Sequence, residues 1–102
     1  MVAKVSQHID ELIELCRTYN VRRLDLFGSA ATTDFQPEKS DLDFLIDFQP
    51  MEPKKHAKSY FGLLEKLQDL FRCSIDLIEI DAVSNPYFLE EANRSRVEIY
   101  AA

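Results

Sequence analysis

Two short pieces of the sequence decide the fold: Leu26-Phe27-Gly28-Ser29-Ala30-Ala31 and, after a polar stretch, Ser40-Asp41-Leu42-Asp43-Phe44-Leu45-Ile46. In the second piece every second position is apolar, and Phe48 continues the pattern. This period of two is typical of a β-strand with one apolar face. Asp41 and Asp43 are two positions apart, so their side chains leave the same face of the strand, away from the core.

The first piece ends another predicted strand, and the rest of the chain supplies helices. A mixed apolar and charged run stops at Gly28, which predicts a strand followed by a turn. Apolar residues at spacings of three and four predict amphipathic helices. The predicted elements are a helix over 5–19, strands over 21–27 and 42–48, one helical turn over 29–33, a helix ending near residue 72, a strand over 73–80, a short helix over 86–93 and a short strand over 97–100.

This order of elements predicts a single α/β domain over residues 1–102, with one β-sheet faced by helices. Neither repeats nor low-complexity segments interrupt it. The pattern does not set the strand directions. The short connection over residues 29–40 permits an antiparallel or mixed sheet at least as well as a right-handed crossover.

Charge restricts the class of ligand. Twelve basic and eighteen acidic residues give a formal net charge of −6, which is the wrong sign for binding extended nucleic acid through its phosphates. A compact anion such as a nucleoside triphosphate is still allowed, because a divalent metal can bridge its phosphates to clustered carboxylates.

We expect a cytoplasmic protein that does not enter a membrane, because the sequence lacks the long apolar runs of a signal peptide or a membrane span. Its only cysteines, Cys16 and Cys73, fall in apolar patterns and are expected to be small hydrophobic residues without a chemical role.

The paired aspartates carry the first chemical signal. Two carboxylates side by side repel each other, and a hard divalent cation such as Mg²⁺ or Mn²⁺ relieves that repulsion. Asp76 adds a third carboxylate inside an apolar run, where an unpaired charge is costly. Each signal has a structural alternative when taken alone: a Ser-Asp turn for Asp41, a solvated sheet edge for Asp43, and a strand-edge residue facing water for Asp76.

The second signal is Gly28-Ser29 directly after a strand. Glycine lets the backbone approach an anion closely, and amides that open a helical turn point their positive ends at it. A Gly-Ser pair alone is more often an ordinary turn, so its weight comes from the combination with the aspartates.

Taken together, these motifs resemble the signature of the DNA polymerase β-like nucleotidyltransferase superfamily, and in particular its minimal nucleotidyltransferase (MNT) domains. The resemblance extends over almost the whole chain, including Asp76 before a Leu-Ile pair and Asn85-Pro86-Tyr87 near the end. It implies a polymerase β-like nucleotidyltransferase fold, α/β with a single mixed sheet.

The resemblance also implies an enzyme and its site. Asp41, Asp43 and Asp76 are expected to be the catalytic residues and to bind two Mg²⁺ ions, with ATP as substrate. The nucleotide-binding residues are expected to be Gly28, Ser29 and Ser40, with Ser29 and the amide of Gly28 or Ser29 holding phosphate oxygens.

The resemblance further implies a partner, because MNT proteins are commonly paired with a small helical HEPN protein in toxin-antitoxin modules. The chain is then the antitoxin: it transfers AMP from ATP to a tyrosine of the HEPN toxin ribonuclease, with which it forms a hetero-oligomer. The alternatives are an antitoxin that neutralises the toxin by binding alone, and a nucleotidyltransferase acting on a small molecule such as an aminoglycoside.

The sequence departs from the MNT pattern at Thr32-Thr33, where many relatives have an Arg-Gly pair. A cation on the phosphate side is therefore missing from the loop. Arg22, Arg23 and Lys39 are candidates to replace it, although each is typical of a solvated surface charge.

Overall fold

The computed structural model describes residues 2–32 and 41–102 of the chain. A four-stranded sheet has the order β3-β2-β1-β4. The elements are α1 (Ala3–Ser6), α2 (Ile9–Thr18), β1 (Val21–Phe27), a 3-10 turn (Gly28–Ala31), β2 (Leu42–Phe48), α3 (Pro53–Phe71), β3 (Ile75–Glu79), a second 3-10 turn (Ile80–Ala82), α4 (Pro86–Ser95) and β4 (Val97–Ala101).

The sheet is mixed, as the fold class predicted. β1 is antiparallel to both β2 and β4, whereas β2 and β3 are parallel and are joined by the long helix α3. The parallel pair needs this crossover helix, since a tight hairpin turn joins only antiparallel strands. The strand directions, which the sequence pattern left open, are decided here.

One face of the sheet carries the main core. The alternating apolar residues of β2, such as Phe44, are completely buried against Leu12 of α2 and Leu63 of α3. On the opposite face, α4 packs through a small cluster of Phe27, Leu45 and Ala92. Asp43 points toward this second face.

The predicted helix over 5–19 is the main error in the fold. The structure has two helices there, because α1 ends at Ser6 and α2 begins at Ile9. The segment before α2 is tied to the first 3-10 turn by a hydrogen bond from the Val2 amide to the Ala30 carbonyl (2.9 Å). The helix is interrupted at His8, whose ring packs edge-on against Phe71. The spacing of apolar residues in the sequence cannot predict such a tertiary contact.

The two cysteines can be compared directly with the prediction made for them from the sequence. Cys16 is buried, and burial raises the pKa of its thiol to about 12. Cys73 is half-buried, and both are free thiols.

In the part of the chain that the structure describes, no helix is both long and apolar enough to cross a bilayer. Phe61 and Tyr87 are 65% and 79% exposed, so these two aromatic residues lie on the surface.

Candidate active site

Three aspartates and the Gly28 loop meet at one corner of the sheet. The parallel register of β2 and β3 sets Asp43 directly opposite Asp76. On the other side of β2, Phe27 is paired with Asp43, so the chain leaves β1 at Gly28 beside the same carboxylate. Asp41 immediately precedes β2 and shares the face of Asp43. The sheet register therefore brings together residues that are far apart in sequence.

Buried neighbours hold this register. Leu42 is paired with Ile75 and Phe44 with Leu77, and all four side chains are buried in the main core. A slip of one residue would turn these apolar side chains outward and the aspartates inward. The apolar alternation thus keeps the carboxylates on the open face.

Asp43 is the electrostatic centre of the site. Partial burial, a hydrogen bond shared with Asp76, and the negative charges of Asp76 and Asp41 together raise the pKa of the Asp43 carboxyl to about 7. Near neutral pH the Asp43 carboxyl therefore still holds its proton in part of the molecules. A divalent cation would relieve the same repulsion, since carboxylate oxygens are the ligands that hard cations prefer.

The exposure of the other two acids corrects one argument from the sequence. Asp76 was singled out because burying a charge is costly, but both Asp76 and Asp41 are exposed. Within residues 2–32 and 41–102, no three acidic, histidine or cysteine side chains are grouped closely enough to hold a metal ion as they stand. Asp43 and Asp76 are in contact, while Asp41 acts on Asp43 through its charge. The oxygen-only donor set fits a hard cation chemically.

Gly28 makes room for the central carboxylate. Its φ of +71° lies in the left-handed region, and a Cβ at this position would be 2.6 Å from Oδ2 of Asp43. A side chain here would meet both backbone strain and a direct clash. The glycine after β1 is therefore required by its position beside Asp43.

The three predicted nucleotide-binding residues, Gly28, Ser29 and Ser40, differ in whether the structure leaves them able to bind a phosphate. The Gly28 amide is not available for a phosphate oxygen as the structure stands, because it donates a hydrogen bond to Ser95 Oγ (2.8 Å). Ser29 is half-buried in the 3-10 turn and remains the phosphate-binding candidate of this loop. Ser40 lies outside the described residues.

The sequence matches the family described as "Polymerase beta, Nucleotidyltransferase" over residues 10–102. The chain belongs to this nucleotidyltransferase family. A Methanocaldococcus jannaschii protein provisionally named protein adenylyltransferase is 39% identical over 69 residues, which are 68% of this chain and 66% of that protein. The match therefore spans slightly less than two thirds of the relative's length.

Solved structures share the nucleotidyltransferase fold. One provisionally described as a minimal nucleotidyltransferase has a TM-score of 0.76 at 22% identity, covering 95% of each chain. A chain from the complex of a tri-AMPylated Shewanella oneidensis HEPN toxin with an MNT antitoxin has a TM-score of 0.65 at 14% identity, covering 95% of this chain and 72% of that one. At these identities the likeness concerns the fold, and the predicted polymerase β-like fold is confirmed.

Helix α4 forms one wall of the candidate site, which the sequence motifs did not predict. Phe88 packs edge-on against Phe27 with ring centroids 5.7 Å apart, and Ala92 is buried in the same cluster. Ser95 ties the end of α4 to the Gly28 amide. Because Ser95 and Gly28 are 67 positions apart, no local spacing signals this contact.

The proposed substitute cations on β1 are used elsewhere. Arg22 pairs with Asp47 at 2.7 Å, and Arg23 donates to Asp25 at 3.0 and 3.1 Å. Asp47 is four positions from Asp43 along β2, roughly 13 Å at the usual rise of a strand. Both arginines therefore form ion pairs at the other end of the sheet. Lys39 lies outside the described residues.

Proposed function

We propose that this nucleotidyltransferase transfers AMP from ATP to a tyrosine hydroxyl of a HEPN toxin and thereby neutralises it as an antitoxin. The observation that carries the proposal is the parallel pairing of Asp43 with Asp76 beside the Gly28–Ser29 loop. Family membership supports the reaction class. The name of the 39% identical relative supports a protein as acceptor, and the S. oneidensis complex of similar fold supports the HEPN partner.

Each residue has a defined task in this proposal. Asp41, Asp43 and Asp76 would hold two Mg²⁺ ions, which supply charge neutralisation at the phosphates and lower the pKa of the attacking hydroxyl. Ser29 would bind a phosphate oxygen from the loop side. Gly28 leaves Asp43 the space that it needs.

Atoms and electrons balance in the proposed transfer from ATP to the tyrosine. The tyrosine oxygen forms a bond to the α-phosphorus of ATP, and the bond from that phosphorus to the pyrophosphate oxygen breaks in line. Pyrophosphate leaves with the electron pair of that bond. The hydroxyl proton passes to a carboxylate oxygen of Asp76, which is exposed and therefore accessible to an acceptor from outside.

The test is the intact mass of the partner protein encoded beside this chain, after incubation with the chain, ATP and Mg²⁺. We expect a gain of one or more AMP units with the natural chain and none with the Asp41→Asn, Asp43→Asn double variant. Asp47→Asn is the matched control, because Asp47 lies on the same strand but pairs with Arg22. Asp47→Asn should retain transfer.

A second function, neutralisation by binding alone, is favoured by one observation. The described part of the loop, from Gly28 to Thr32, carries no cation, and Thr32 stands where the resemblance to the MNT pattern implies arginine. An unmodified partner that still forms a stable complex would contradict transfer and favour the binding antitoxin.

A further inference from the structure

A pocket of about 420 Å³ opens between the Gly28–Ala31 turn and α4. The turn side includes Gly28, Ser29 and Thr32, and the α4 side includes Phe88, Glu91 and Arg94. The pocket thus joins the predicted phosphate-binding loop to a helix that carries both a cation and an acid. Among the described residues that line it, Arg94 is the only cationic one.

We propose that Arg94 is the cation that binds the nucleotide's phosphates in this pocket, and that Glu91 weakens this binding by competing for the same guanidinium. The inference rests on the proposed function. It assigns to α4 a positive charge that the described part of the loop, from Gly28 to Thr32, does not carry.

The present contacts of Arg94 are easily exchanged. Arg94 donates to Glu91 at 3.1 Å and lies 3.6 Å from Glu90, and all three side chains are about two thirds exposed or more. Exposed ion pairs of this kind contribute about 0–1 kcal/mol. A planar guanidinium binds phosphate through two parallel hydrogen bonds, which are stronger.

The position of Arg94 is fixed by its neighbours. Ser95, the next residue, accepts a hydrogen bond from the Gly28 amide at 2.8 Å. Ala92, two positions earlier, is buried against the sheet. The backbone at Arg94 is therefore held by the loop on one side and by the sheet on the other, whatever the Arg94 side chain contacts.

The chain contains a matched control pair on the opposite side of the sheet. Arg17 and Glu14 on α2 form the same three-residue-spaced pair, with side-chain exposures of 66% and 74%, compared with 67% and 75% for Arg94 and Glu91. Arg17→Gln removes the same charge as Arg94→Gln at a comparable surface site. Glu14→Gln matches Glu91→Gln in the same way.

The experiment is calorimetric titration of the full chain with Mg-ATP and, separately, with inorganic triphosphate. We expect Arg94→Gln to weaken both affinities about tenfold, as for the loss of a charge-assisted hydrogen bond. Arg94→Lys should restore part of the loss. Glu91→Gln should tighten both about threefold, while Arg17→Gln and Glu14→Gln leave them unchanged.

The outcomes separate the inference from the proposed function. If the natural chain binds triphosphate, if Arg94→Gln weakens that binding, and if no AMP transfer occurs, then the pocket assignment stands and the proposed reaction fails. Equal affinities for Arg94→Gln and Arg17→Gln overturn the assignment of Arg94, even where transfer is observed. A natural chain that binds neither ligand overturns the assignment of Arg94, and the transfer assay alone then decides the proposed function.

Discussion

Asp25 and Asp43 lie on the same face of the sheet, on adjacent strands, and meet opposite surroundings. Asp25 is completely buried, yet Arg23 and Arg96 both donate hydrogen bonds to it. Asp43 is half-buried, and the charged neighbours identified around it are the acids Asp76 and Asp41. The chain neutralises the first carboxylate with its own arginines and leaves the second to a proton or a cation from solution. The difference separates an acid that the fold neutralises from one that we propose takes part in the reaction.

The largest expected effect is on the paired acid. Asp25→Asn should lower the free energy of unfolding by about 3 kcal/mol, because it leaves the partly buried guanidinium of Arg96 without its counter-charge. Urea denaturation of metal-free protein measures the change. Asp43→Asn, the same isosteric substitution on the next strand, should leave the free energy of unfolding unchanged or raise it, since it removes carboxylate repulsion.

Equal destabilisation by Asp25→Asn and Asp43→Asn would contradict the contrast drawn between these two acids. It would mean that Asp43 is as structural as Asp25, and that the acid cluster is not a functional site.

The next effect concerns the space around Asp43. Gly28→Ala should destabilise the chain by about 1 kcal/mol through its left-handed φ, and its Cβ should displace the Asp43 carboxylate and reduce AMP transfer. Denaturation and the transfer assay measure the two effects separately. Gly62→Ala on α3 is the control: its Cβ would come 2.7 Å from the Tyr19 ring, away from the carboxylates.

In that control we expect a loss of stability without a loss of transfer by the remaining folded protein. Full transfer by Gly28→Ala would show that the close contact with Asp43 has no part in the reaction.

The smallest effect is on pH dependence. The pKa of Asp43 is raised from 3.8 to about 7 in the folded chain, so the folded state binds a proton that the unfolded state releases between these values. The resulting stabilisation is fully present below about pH 4 and is lost as the pH rises through 7. We expect a contribution of about 1 kcal/mol, because solvent screens a half-buried group.

Thermal unfolding in a chelator across this pH range, with Asp43→Asn beside the natural chain, tests the assignment. The difference in stability between the two proteins should narrow toward low pH. A difference in stability that does not vary with pH would mean that a group other than Asp43 binds this proton.

Much of the site could be predicted because its signals are local. The alternation around Leu42 and Phe44 placed Asp41 and Asp43 on one face, and the glycine after β1 predicted a close approach of the backbone. Asp76 was found for an incorrect reason, since it is exposed rather than buried. Buried Asp25 was missed, although an acid between Leu24 and Leu26 was a signal, because Arg96 lies 71 positions away.

The sequence by itself determined the β-strands, most of the helices, the shared face of Asp41 and Asp43 and the family of the chain, because periodicity and motif spacing are properties of neighbouring residues. Only the tertiary structure decided that β3 runs parallel to β2, which sets Asp76 opposite Asp43. It also decided that α4 returns to the loop, where Ser95 occupies the Gly28 amide and Arg94 lines the pocket. Such contacts join distant segments, and their register is set by how the whole core packs.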